Sequence, residues 1–112
     1  MDIEFDNPKI QKLCDDTKHA VRRLNAGQAK LLRKRLGQIR AAPNLATLYS
    51  LGLGRCHQLQ GLTTPTFTLD LDGPNRLVFN LPGDVPLLPD GGVNRSAVTV
   101  VQICKIEDTH GT

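Results

Sequence analysis

A chain of 112 residues is long enough for one domain with a single modest core. Its hydrophobic content of 39%, without any Trp, indicates a globular protein with an aliphatic core, and no apolar run is long enough to cross a bilayer. The formal net charge is only +3, but residues 9–40 hold ten Lys and Arg against two Asp. This concentration of positive charge favours a polyanionic partner, and nucleic acid is the expected one.

The N-terminus and the cysteines indicate the cellular compartment. Residues 1–6 are acidic where the start of a secretory signal peptide would be basic. Cys14, Cys56 and Cys104 are odd in number, and each lies in an apolar pattern. They are therefore expected to be reduced, buried thiols rather than a disulfide framework. We expect a single domain over residues 1–112, located in the cytoplasm.

The first half of the chain predicts a short strand at residues 2–5 followed by two helices. Asn7 and Pro8 suit the N-cap and first position of a helix, and one apolar stripe runs from Ile10 to Leu24. After a break at residues 25–27, a second helix is expected over about residues 28–41. Its predicted buried stripe is apolar: Ala29, Leu32, Leu36 and Ile39. Its predicted exposed side, here called the basic face, is Lys30, Arg33, Lys34 and Arg40.

The second half of the chain changes to a period of two, which predicts strands after a short helical turn capped by Asn44. The expected strands span residues 55–59, 66–71, 76–81 and 98–107. The last is apolar on both faces and is therefore expected at the centre of the sheet. A Pro- and Gly-rich segment, residues 82–97, predicts a poorly ordered hairpin loop. The fold class expected is α+β, a helical hairpin packed on a mostly antiparallel, twisted sheet.

Four side chains suited to acid/base or phosphate chemistry are expected to meet on the uncovered face of this sheet: His57, Arg76, Asp108 and His110. Asp108 and His110 share a face if the last strand continues to its end, because strand side chains alternate. Arg55 would share the face of His57 and add an RNA-binding cation. Two imidazoles, a carboxylate and a guanidinium suit RNA cleavage through the 2′-hydroxyl. That reaction needs no metal ion and no other cofactor.

Two other chemistries are disfavoured by the residues present. A zinc site would need Cys56 and His57 to bind one ion, but adjacent strand residues point to opposite faces, and the sequence has no CxxC pair. A cysteine nucleophile is less favoured still, because apolar surroundings raise the pKa of a thiol.

The chain resembles the HigB-like branch of the RelE/ParE toxin superfamily, the plasmid-maintenance killer proteins. The matching segments are residues 45–48, Gly54-Arg55-Cys56-His57-Gln58-Leu59, residues 76–79 and residues 101–111. The order and spacing of the pattern match over nearly the whole domain, from the first strand to the C-terminus. The resemblance implies a RelE-like fold and a type II toxin, a ribosome-dependent mRNA endonuclease. Its implied partners are the ribosome, mRNA and a small helix-turn-helix antitoxin, with promoter DNA reached only through the antitoxin and no membrane involved. It assigns His57, Asp108 and His110 to catalysis and Arg76 to the phosphate.

One position departs from the family pattern. Thr109 stands where a tyrosine is usual, and a threonine cannot stack on a base. An alternative function therefore remains, that of a non-catalytic member which binds a protein partner, as the gyrase-directed branch does. Those proteins generally lack the histidine pair, so His57 together with His110 favours the nuclease. A plain RNA-binding protein is a third alternative.

Overall fold

A computed structural model describes residues 1–108 of the chain, with Asp108 described by its backbone alone. Four helices, α1 to α4, span Pro8–Asp15, Thr17–Arg23, Ala26–Ala41 and Leu45–Leu51. Five strands, β1 to β5, span Asp2–Phe5, His57–Gln58, Thr66–Asp70, Asn75–Asn80 and Val100–Asp108. They form one sheet in the order β1-β5-β4-β3-β2, in which only the β1–β5 pair is parallel. The expectation of an α+β fold with a mostly antiparallel sheet is confirmed. The last strand, β5, was expected at the centre of the sheet; it is an interior strand between β1 and β4, and β4 is the central one.

Short polar side chains set the starts of the helices. Asn7, Asp16, Asn25 and Asn44 each accept a hydrogen bond from the backbone N–H three residues later. The prediction of one continuous helix from Ile10 to Leu24 is wrong, because the Asp16 carboxylate caps a new helix at this point. In the part of the chain that is described, no helix combines the length and the apolar character needed to cross a membrane.

The second predicted helix is confirmed as α3, which starts two residues earlier than expected. Asn25 caps it by accepting the Gln28 N–H at 2.9 Å, so Gly27 lies inside the helix instead of breaking it. Each residue of the predicted apolar stripe is at most 2% exposed, and each residue of the basic face is exposed. The apolar side of α3 packs on the sheet, so the basic face points to solvent.

The core lies between the helices and one face of the sheet. Phe67 of β3 stacks on Phe79 of β4, with ring centroids 5.4 Å apart. The neighbouring core side chains are fully buried: Leu69, Leu77, Val101, Ile103, Leu36 and Ile39. Strand alternation therefore directs Thr68, Asp70 and Arg76 to the opposite face.

The strand predicted at residues 55–59 is wrong at its start. Residues 53–55 form a 3₁₀ turn, and β2 is only the pair His57–Gln58. Gly52, Gly54 and Arg55 have φ angles of 66°, 67° and 47°, in the left-handed region that no strand residue adopts. Consequently Arg55 does not share a strand face with His57. The two residues are close because the turn over residues 53–55 leads directly into β2.

The segment over residues 82–97 is a hairpin, as predicted, but it is held by hydrogen bonds. Leu87 pairs with Val93 in an antiparallel bridge, and the Asn94 N–H donates to the Pro86 carbonyl at 2.8 Å. A 3₁₀ turn at Arg95–Ala97 then leads into β5. The expectation of poor order in this loop is therefore wrong, because its backbone groups pair with one another.

Candidate functional site

A surface cavity of about 590 Å³ lies where β2, the end of β3 and the start of β4 come together. Its lining residues are Arg55, Cys56, His57, Asp70, Gly73, Pro74 and Arg76. Three of the residues singled out from the sequence, Arg55, His57 and Arg76, therefore share one cavity. It opens on the sheet face opposite the helix-packed core, the face to which alternation directs Asp70 and Arg76.

The imidazole of His57 is held at one nitrogen by the backbone. Its Nδ1 lies 3.1 Å from the carbonyl oxygen of Arg55. A carbonyl can only accept, so this contact requires the proton on Nδ1, and the neutral ring then has its lone pair on Nε2. The hydroxyl of Thr68, the cross-strand partner of His57, lies 3.3 Å from Nδ1 and 3.4 Å from Nε2. His57 is an exposed residue, and it lines the cavity.

Arg55 and Asp70 form an ion pair in the wall of the cavity. The Arg55 Nε donates to Asp70 Oδ2, although the Arg55 side chain is 84% exposed and that of Asp70 only 22%. Asp70, at the end of β3, is thus the more buried partner. The sequence reasoning did not select Asp70, although the hairpin turn at residues 71–74 pairs it with Arg76.

Arg76 has a carboxylate-bearing neighbour on each adjacent strand. The register pairs it with Asp70 of β3 and with Glu107 of β5. Glu107 forms its ion pair with Lys105 instead, at 3.2 Å, and among the described side chains, those of residues 1–107, none forms an ion pair with Arg76. Arg76 lines the cavity, where its guanidinium can contact an anionic ligand.

The end of β5 approaches the cavity through its backbone. Asp108 pairs with Asn75, which lies between the cavity residues Pro74 and Arg76. The side chain of Asp108 is not described, and Thr109 and His110 lie outside the described residues. The expected convergence of Asp108 and His110 with His57 therefore stays a prediction.

Helix α3 ties the cavity to the body of the protein through Arg35. The Arg35 Nε donates to the backbone carbonyl of Asp70 at 2.8 Å, and its Nη1 donates to Gln38 at 3.0 Å. The same side chain packs on Gly54, where an added Cβ would come within 2.8 Å of the Arg35 Nε. The sequence reasoning missed this role, because Arg35 could not be told apart from the other arginines of a basic helix.

The cysteine near His57 is unsuited to act as a nucleophile. Cys56 lines the cavity but is buried, and burial raises the pKa of its thiol to about 12. Burial also raises the thiol pKa of Cys14, to about 12, and that of Cys104. Among the side chains of residues 1–107, no three His, Cys, Asp or Glu lie close enough together to hold a metal ion.

Comparison of the chain with family models, with curated proteins and with solved structures gives no match in any of the three.

Proposed function

We propose that this protein is the toxin of a type II toxin–antitoxin system, a RelE-like endonuclease that cleaves mRNA on the ribosome. The observation that carries the proposal is the cavity shared by His57, Arg55 and Arg76. It combines an imidazole that carries a lone pair on Nε2 with two guanidinium groups. An imidazole lone pair can accept the 2′-proton, and guanidinium groups can contact the adjacent phosphate. The motifs around His57 and at the C-terminus resemble those of the RelE/ParE superfamily. This resemblance supports the ribosome as the site where the protein would cleave mRNA.

The chemistry assigned to the cavity is attack of the 2′-oxygen on the adjacent phosphorus. His57 Nε2 takes the 2′-proton, because Nδ1 is engaged by the Arg55 carbonyl. The P–O5′ bond breaks, and a second acid donates a proton to the departing 5′-oxygen; His110, supported by Asp108, is the candidate for this role. Arg76 offsets the additional negative charge of the phosphorane. The products are a 2′,3′-cyclic phosphate and a 5′-hydroxyl.

The proposed partners follow from the charge of the surface and from the resemblance. The basic face of α3 provides four exposed cations that can contact ribosomal RNA. A helix-turn-helix antitoxin is proposed to keep the protein off the ribosome without inserting into the cavity. A small partner cannot easily cover both α3 and the strand ends.

The test is to map transcript ends after inducing the protein in cells, with and without a translation inhibitor. We expect new 5′ ends within translated reading frames, and these ends should disappear when translation is blocked. They should carry a 5′-hydroxyl, so polynucleotide kinase labels them without prior phosphatase treatment. New ends that bear a 5′-phosphate, or that persist without translation, would contradict the proposed mechanism.

Variants separate the nuclease from a protein that only binds. His57→Ala should lower the cleavage rate by about 10²–10⁴-fold through loss of the base. Arg76→Ala should lower it by about 10²–10³-fold through loss of transition-state charge stabilisation. His19→Ala, on α2 and away from the cavity lining, is the matched histidine control and should cleave normally. Toxicity that survives both cavity variants would favour the protein-binding alternative.

A further inference from the structure

We propose that Asp70 is a positioning residue that acts through Arg55 to hold His57 in the tautomer with the proton on Nδ1. Two contacts carry the inference: the Asp70 carboxylate holds the Arg55 side chain, and the backbone carbonyl of the same Arg55 lies against His57 Nδ1. The consequence for catalysis rests on the proposed function, whereas the contacts themselves do not.

Asp70 is well placed to act as the fixed end of this chain of contacts. It is the last residue of β3, and its backbone carbonyl accepts the Arg35 Nε at 2.8 Å. Its side chain is 22% exposed and accepts the Arg55 Nε through Oδ2. The main chain of Asp70 is therefore bound to α3 while its carboxylate is left to hold Arg55.

The backbone of Arg55 is in a strained, left-handed conformation, which a side-chain contact can stabilise. A φ of 47° is disfavoured for any residue with a Cβ, and Gly54 and Gly52 before it are also left-handed. Arg35 fills the space beside Gly54 and limits how the turn over residues 52–55 can relax. Arg55 is therefore the residue of this turn whose backbone is strained. Its ion pair with Asp70 holds it in the left-handed conformation.

The carbonyl of Arg55 transmits this restraint to the imidazole. It lies 3.1 Å from His57 Nδ1, and an oxygen that only accepts requires a proton on that nitrogen. If the turn relaxes, the carbonyl moves and Nδ1 loses its acceptor. The Thr68 hydroxyl, 3.3 Å from Nδ1 and 3.4 Å from Nε2, selects neither nitrogen by itself. The tautomer of His57 therefore reports on the Asp70–Arg55 pair.

The experiment measures the ring ¹⁵N chemical shifts of His57 in the full chain at a pH of about 9, where histidines are normally neutral. The wild-type protein should show protonated Nδ1 and unprotonated Nε2. Asp70→Ala should convert this signal into a mixture of tautomers or into the form protonated at Nε2. Asp70→Glu keeps a carboxylate and should restore the Nδ1–H form. Asp72→Ala, the matched control, alters an exposed carboxylate two residues away and should leave the wild-type signal.

Arg55→Ala breaks the same ion pair from the exposed side and should give the same mixture, so the test does not depend on Asp70→Ala remaining folded. In the Arg55→Ala background, a further Asp70→Ala change should have no effect on the tautomer. The proposal is overturned if folded Asp70→Ala or folded Arg55→Ala keeps the wild-type signal. It is also overturned if Asp70→Ala still changes the signal when Arg55 is absent.

Cleavage assays extend the inference to activity and separate its failure from failure of the proposed function. Asp70→Ala should lower kcat with little change in KM, and it should have no further effect in a His57→Ala background. A tautomer that follows Asp70 in a protein without nuclease activity would refute the proposed function and leave the positioning role intact. Full kcat in Asp70→Ala with an altered tautomer would overturn the catalytic consequence.

Discussion

Neutralising half of the basic face should make ribosome binding both weaker and less sensitive to salt. Arg33→Gln with Lys34→Gln is the change to make, because both side chains are exposed on α3 and belong to neither the core nor the cavity lining. The apolar stripe of the same helix stays intact, so the fold should not be affected.

The size of the effect follows from counterion release. If each of the four basic-face side chains neutralises one phosphate, raising the salt from about 50 to about 200 mM should weaken wild-type binding about 100-fold. With two contacts left, the same change should weaken binding only about tenfold. The variant should therefore differ most from the wild type at low salt, and the difference should shrink as salt rises.

The assay is equilibrium binding of the labelled protein to purified ribosomes over a series of salt concentrations. A control with the same loss of charge is Lys9→Gln with Lys18→Gln, exposed positions on α1 and α2. This control should keep the wild-type salt slope. An unchanged slope in the α3 variant, or an equal change in the control, would show that the basic face is merely solvated.

Three further predictions concern stability and the thiols. Gly54→Ala should lower the free energy of unfolding by about 1–3 kcal/mol, because alanine is strained at a φ of 67° and its Cβ displaces Arg35. Gly37→Ala, with open space around its Cβ, should instead raise that free energy by about 1 kcal/mol, and urea denaturation measures both. The three thiols should react slowly with a disulfide reagent at neutral pH and rapidly after denaturation, because burial raises their pKa values. Cys56 is buried whereas Cys14 and Cys104 are partly exposed, so Cys56 should react last. The hydrogen bond from the His19 N–H lowers the pKa of Asp16, so its stabilising effect is present above the unfolded carboxyl pKa and is lost as pH falls through the folded value. The difference in Tm between wild type and Asp16→Ala should accordingly shrink below a pH of about 4, and equal differences at all pH values would contradict this.

The helical half of the fold could be predicted where side-chain periodicity and capping agree. The apolar stripe and the basic face of α3 follow from a repeat of 3.6 residues, and Asn7 and Asn44 cap as expected. The division of the first helix at Asp16 was missed, because the apolar stripe runs on across it. An Asp side chain can cap the start of a helix or lie on the exposed face of a continuous helix. The spacing of the apolar residues does not distinguish these two positions.

The candidate site was only partly predictable for a similar reason. His57 and Arg76 could be selected by residue type, and the register of β3 with β4 follows from the short turn between them. The place of Arg55 was predicted for the wrong reason, since it reaches the cavity from a left-handed turn and not from a strand.

By itself, the sequence determined the helix and strand types, the buried stripes and the concentration of positive charge on α3, because each depends on residues close together in the chain. Only the tertiary structure decided that Arg35 of α3 packs on Gly54 and binds the Asp70 carbonyl, and that Asp70 holds Arg55 beside His57. The Arg35–Asp70 and Arg55–Asp70 contacts join residues 35 and 15 positions apart, and the contacts of Arg35 depend on how α3 crosses the sheet. Local patterns carry no information on that crossing, since any arginine of a basic helix satisfies the same periodicity.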